Sequence, residues 1–158
     1  MRAIDIVRTS FETVTADTPL KEAVRLLLKT NQRGLPVLDY DGHLTGIISE
    51  GDLLHRDELG VSPPAGNWIE AMLGVKEDGP ARQRMRALGV GAVMTSNPVC
   101  VDENAAVDDV IAVMDQRKVA QVPVVCAGEV IGIISRFELL AALERSLSQD
   151  EERAEVAQ

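Results

Sequence analysis

Aromatic side chains are scarce: one Trp, one Tyr and two Phe, 3% of 158 residues. Aliphatic side chains must therefore build any core, and the stacking platforms that hold single-stranded nucleic acid are nearly missing. Cysteine is rare as well. Cys100 and Cys126 stand apart in apolar runs, in no Cys-x-x-Cys and beside no His. That pattern excludes the usual zinc spacings, so no metal is expected. It reads instead as two buried, reduced thiols in a cytoplasmic protein. No stretch approaches the roughly 18 consecutive apolar residues of a membrane span. The opening MRAIDIVRTS lacks the apolar region of a secretory signal. Basic charge is short: 16 Lys and Arg against 25 Asp and Glu give a net charge of −9. Binding to nucleic acid, which rests on phosphate neutralisation, is not expected, and neither is an anionic membrane surface. Catalytic arrangements are missing too. There is no nucleophile paired with His, no Walker loop, no GxGxxG after a strand and no HExxH. The reading is non-enzymatic. His43, beside a turn glycine, and His55, after a helix, read as solvated.

What is present is a globular chain with 46% apolar and 26% charged residues. It also repeats itself. Gly46-Ile47-Ile48-Ser49 recurs as Gly132-Ile133-Ile134-Ser135. Each copy reaches a carboxylate three residues later, Asp52 and Glu138, and then a Leu-Leu pair. Upstream, Leu35-Pro36-Val37 matches Val122-Pro123-Val124. Further back, Leu20, Ala23, Val24, Leu27 and Leu28 follow helical spacing, as do Val107, Val110, Ile111 and Met114. Asp17 or Thr18 can cap the first helix, with Pro19 in its first turn, and Asn104 can cap the second.

Each copy thus predicts a short strand (13–15; 100–102), a helix, a strand after the Pro, a glycine turn, a second strand and a closing helix. The glycine turn makes the two later strands an antiparallel hairpin. The order is β-α-β-β-α and the fold class α+β. One unit of roughly 50 residues buries a sheet poorly by itself, so two are expected to pack sheet to sheet about a pseudo-two-fold axis. Repeat 1 is placed at 1–60, an insert at 61–89, repeat 2 at 90–145 and an acidic tail at 146–158, frayed from 148 on. In the insert, 62–67 reads as a loop and 77–80 as a second break. Trp68, Ile69, Met72 and Leu73 share a helix face and read as a packing anchor, and Arg82, Arg84 and Arg86 as a solvated one.

Two Gly-h-h-Ser-x-x-acid runs in register, each behind its own x-Pro-Val and helix, resemble the CBS (cystathionine-beta-synthase) domain pair, or Bateman module, of the bacterial CBS-pair type. The insert with Trp68 and Leu73-Gly74 is similar to that of bacterial CBS-pair proteins that sometimes add a C-terminal BON domain; none is expected here. The resemblance implies a regulatory module that binds AMP, ADP, ATP or adenosylmethionine, with no required cofactor. It implies a homodimer and a regulated partner protein that the sequence does not name. Carried over residue by residue, it joins Ser49 and Asp52 to Val99, Ala120 and Gln121. It joins Ser135 and Glu138 to Glu12, Thr13, Arg33 and Gly34. Arg33 and Arg136 would meet phosphate, and the edges at Val99 and Val122 would flank adenine.

The chemistry of these residue types fits. A carboxylate can accept from both hydroxyls of a ribose, and a helix start offers free N–H groups to phosphate. Ser-x-x-acid is equally a capping box. Glu138 departs from the family's Asp and is the better capping partner, so copy two reads as a structural cap. Asp52 reads as the ribose carboxylate, with one adenosyl site per chain. The alternative is a dimerisation or scaffold module with vestigial pockets.

Overall fold

The computed structural model describes residues 1–55 and 88–158. The Trp68 helix, the loop at 62–67, the break at 77–80 and the arginine-rich stretch lie outside the described residues. In chain order the elements are α1 (Ala3–Ile6), α2 (Leu20–Thr30), β1 (Gly34–Leu38), β2 (Leu44–Ser49) and α3 (Glu50–His55). After a single helical turn at Val90–Ala92 come β3 (Thr95–Ser96), β4 (Val101–Asp102) and α4 (Val107–Arg117). The chain ends with β5 (Gln121–Cys126), β6 (Glu129–Ser135) and α5 (Arg136–Val156). Among the described residues no helix is long and apolar enough to cross a membrane.

The chain divides into two compact units. One is Phe11–Pro98; the other joins Met1–Ser10 to Val99–Gln158. In the first, β1 and β2 form the expected hairpin, and β3 adds to β2 antiparallel. The turn needs a left-handed residue, and Gly42 supplies it at φ 84°. Residues 34–37 are all buried, which is why this strand is continuously apolar instead of alternating. Leu20, Ala23 and Leu27 of α2 close over Leu35, Val37 and Ile48, with Leu53, Val90 and Val93 completing the core. Each large aliphatic side chain buried there stabilises by about 1.5–3 kcal/mol.

The second unit repeats this plan. β5 and β6 form the hairpin, and β4 lies parallel to β5. Its turn is tighter, with both Ala127 (φ 49°) and Gly128 (φ 85°) left-handed. Ala3 and Ile6 of α1 join Val110, Met114, Val122, Val124 and Ile134 in its core. Arg8 pairs with Ile133 as Thr95 pairs with Ile47 in the first unit. The repeated glycine explains both pairings. A Cβ on Gly46 would stand 2.9 Å from the Thr95 carbonyl oxygen, and one on Gly132 2.5 Å from that of Arg8.

Several local expectations change. The strand at 13–15 contracts to one parallel bridge, Val14 to Val37. Neither Thr18 nor Asn104 caps a helix: the caps are Pro19 and Ala106, without side-chain bonds. A carbonyl from another segment takes their place. Leu20 N donates to Leu88 O at 3.2 Å, and Val107 N to Met1 O at 3.2 Å. Asp17 instead accepts from Tyr40 Oη, and Asn104 from Arg2 Nη1. The buried stripe of α2 is narrower than its apolar one, since Val24 and Leu28 are 37% and 76% exposed. The acidic tail is helical as far as Val156, because its Glu, Ala and Arg residues are good helix formers. Cys100 is exposed and precedes the two-residue β4. Cys126 is half-buried and donates to Glu103 Oε1 at 2.9 Å. That bond, burial and the neighbouring carboxylates raise its thiol pKa.

Candidate functional site

The repeated motif places a serine at the last residue of a sheet strand and a carboxylate in the first turn of the helix that follows. Ser49 ends β2, opposite Gly34, and Asp52 lies in α3 at 9% exposure. Ser49 N donates to Asp52 Oδ2 at 2.9 Å, and Ser49 Oγ to the same oxygen at 3.1 Å. Asp52 N donates back to Ser49 Oγ at 3.1 Å. Asp52 is therefore a reciprocal cap despite its short side chain. Its other oxygen, Oδ1, accepts from Thr95 Oγ1 at 2.9 Å. Thr95 was not legible as a site residue, because it lies 43 positions away and reaches Asp52 only through the pairing of β3 with β2.

Ser135 ends β6 opposite Gln121 and caps α5. Glu138 reaches back to it, as expected: Ser135 N donates to Glu138 Oε2 at 2.7 Å, and Ser135 Oγ donates to the same atom. Phe137 N donates to Ser135 Oγ at 3.2 Å. Both bonds from Ser135 fall on Oε2, and among the described residues Oε1 accepts nothing. Arg136 is exposed in the first turn of α5.

Glu12, Thr13, Arg33 and Gly34 come together within the first unit, through a residue the sequence did not single out. Gln32 is 4% exposed. Its Oε1 accepts from Glu12 N at 2.7 Å, and its Nε2 donates to Glu12 O at 3.1 Å and Gly34 O at 3.0 Å. The Arg33 guanidinium, expected to meet phosphate, pairs with Glu50 Oε1 at 2.8 Å beside the start of α3. In the second unit Val99 and Ala120 are half-buried and Gln121 is 7% exposed. Val122 is fully buried among Val110, Val124 and Ile134, so its side chain serves the core. Outside these clusters, Asp39, Asp41 and His43 gather at the first hairpin tip, all exposed. Asp39 Oδ1 there accepts from the backbone N–H groups of Asp41 and His43, each at 2.9 Å.

Known proteins are similar to this chain along most of its length. The CBS domain-containing protein CBSX1, chloroplastic, of Arabidopsis thaliana is 31% identical over 144 residues, covering 87% of this chain and 61% of its own. Uncharacterized protein MJ1426 of Methanocaldococcus jannaschii is 30% identical over 141 residues, covering 82% and 84%. The chain spans about three fifths of the length of CBSX1 and of its Arabidopsis relative CBSX2. The crystal structure of CBSX2 in complex with AMP superposes with a TM-score of 0.68 at 26% identity, covering 91% of this chain and 97% of that one. A family model for the CBS domain matches residues 3–58 and again 90–145. Matched twice along its length, the chain belongs to the CBS domain family and carries two CBS domains in tandem.

Proposed function

We propose that this CBS pair is a regulatory module that binds an adenine nucleotide and passes the binding event to a partner protein by a change in conformation. The observation that carries this reading is the buried, fixed Asp52 carboxylate beside Ser49, in a chain related to a protein that holds AMP. A carboxylate is an acceptor suited to the paired hydroxyls of a ribose. Arg33 and Arg136 supply positive charge near the two helix starts. The first test is a thermal-shift panel of AMP, ADP, ATP and adenosylmethionine, since a ligand selective for the folded state raises the melting temperature. Asp52→Ala then separates cap from ribose contact. As a cap alone, it costs about 0.5–1 kcal/mol of stability with affinity unchanged. As a ribose contact it weakens binding by roughly tenfold or more, the expected result. Unchanged affinity in calorimetric titration removes Asp52 from the ligand site.

A second reading, a dimerisation module, has its own observation. Phe137, Leu140, Leu143 and Leu147 form an exposed row along α5, at 75%, 64%, 55% and 56% exposure, and Val24 and Leu28 are exposed on α2. Apolar rows of this kind are commonly covered by a second copy. We propose a homodimer in which α2 and α5 take part. Light scattering across a dilution series should give twice the 17.1 kDa chain mass. A monomer at about ten micromolar, where a stable interface stays closed, counts against it.

A further inference from the structure

Resting on the nucleotide-binding reading, we infer that Glu50 is a specificity-determining residue: it engages the Arg33 guanidinium and so sets how much phosphate charge a ligand can bring there. Arg33 precedes β1 and Glu50 follows β2, so the hairpin brings them to the same end, beyond the Gly34–Ser49 pair. The contact is tied twice. Glu50 N donates to Arg33 O at 3.2 Å, and Arg33 Nη1 donates to Glu50 Oε1 at 2.8 Å. A carboxylate held in this way competes with a dissolved anion as a tethered group does, at an effective concentration on the order of millimolar. The two side chains are 57% and 47% exposed, so an anion can reach the pair.

A phosphate that takes the guanidinium must displace Glu50 and then lie beside its carboxylate. Asp52 stands in the same first turn of α3 and adds to the negative charge. Like charges a few ångströms apart repel, and more so with each phosphate added. Neutral adenosine meets no such opposition, AMP meets some and ATP the most. In the second repeat the residue after the serine is Arg136, of opposite charge, so neither the hairpin nor the helix start requires an acid at this position. An acid in a first turn also complements the helix dipole, but that role concerns stability and not the charge of a ligand.

The test is calorimetric titration of adenosine, AMP and ATP, without magnesium, into the full chain, into Glu50→Gln and into Asp41→Asn. The last removes the same unit of charge at the hairpin tip, roughly 15 Å away along the strands and beyond a screening length of about 8 Å. Glu50→Gln should tighten AMP about fivefold, the scale of an exposed ion pair, and ATP at least as much, with adenosine within about twofold of wild type. Asp41→Asn should move none of the three by more than about twofold. Unchanged or weaker AMP and ATP binding in Glu50→Gln overturns the inference. So does an equal gain for adenosine, which makes shape the cause, or an equal gain in Asp41→Asn, which makes net charge the cause. If none of the three ligands binds any of the chains, the functional reading has failed. The ion pair is then judged with inorganic pyrophosphate, which should raise the melting temperature of Glu50→Gln more than that of wild type; equal shifts overturn the inference.

Discussion

Gly132→Ala should lower the melting temperature by roughly 6–12 °C, equivalent to about 3 kcal/mol in a chain of this size. The added Cβ would stand 2.5 Å from the Arg8 carbonyl oxygen and also collide with Val7 Cγ2. The first of these atoms is backbone and held in place: Arg8 N donates to Ile133 O at 2.9 Å, and Ile133 N to Arg8 O at 3.0 Å. Relief requires the N-terminal segment to lift away from β6, which would expose Ile6 and Ala3, now 6% and 0% exposed. Trypsin should then cut after Arg8 faster than in the wild type. Gly51→Ala is the comparison. Its Cβ meets only Ser49 Oγ, at 3.6 Å, and alanine is favoured over glycine inside a helix by about 0.5–1 kcal/mol. If the two variants melt alike, the close approach at Gly132 is not what holds the segment.

Gln32→Leu should cost about 2–4 kcal/mol, since it keeps the side chain's bulk while withdrawing bonds from a buried position. The Glu12 N–H and C=O both lose the carboxamide that now meets them at 2.7 Å and 3.1 Å. Residues 12 and 13, which precede the Val14 bridge, are tied to the start of β1 through this side chain. Val119 occupies the matching place in the second repeat, so a carboxamide here is not a demand of the fold. A loss below about 0.5 kcal/mol in chemical denaturation would show that water replaces the amide without cost.

The parts of the fold that sequence revealed are those set by neighbours in sequence. Pro36 and Pro123, the glycine turns and the helical spacing of Leu20, Ala23 and Leu27 placed the hairpins and helices. The Ser135–Glu138 cap was legible because both partners lie within one turn. What escaped depends on distant segments. The starts of α2 and α4 use the carbonyls of Leu88 and Met1 instead of nearby side chains. Asp52 meets Thr95 across 43 positions, and Gln32 meets Glu12 across 20. Repeat matching opens the second copy near residue 90, whereas Val90 and Val93 are buried in the first unit's core. Side-chain length ranks Glu138 above Asp52 as a capping partner, yet both carboxylates reach the serine backbone.

Because Met1–Ser10 packs with Val99–Gln158 while Phe11–Pro98 is one continuous stretch, the two units cannot be completed in the order in which they are begun. On a ribosome the stretch from Phe11 can close as soon as Thr95 and Ser96 clear the exit tunnel. The segment carrying Ile6 must wait for β6 to be synthesised, a delay on the order of seconds at about 5–20 residues per second. During that interval Ala3 and Ile6 have no Val122 or Ile134 to cover them, so this is the stage at which a chaperone would find an apolar handle on the nascent chain.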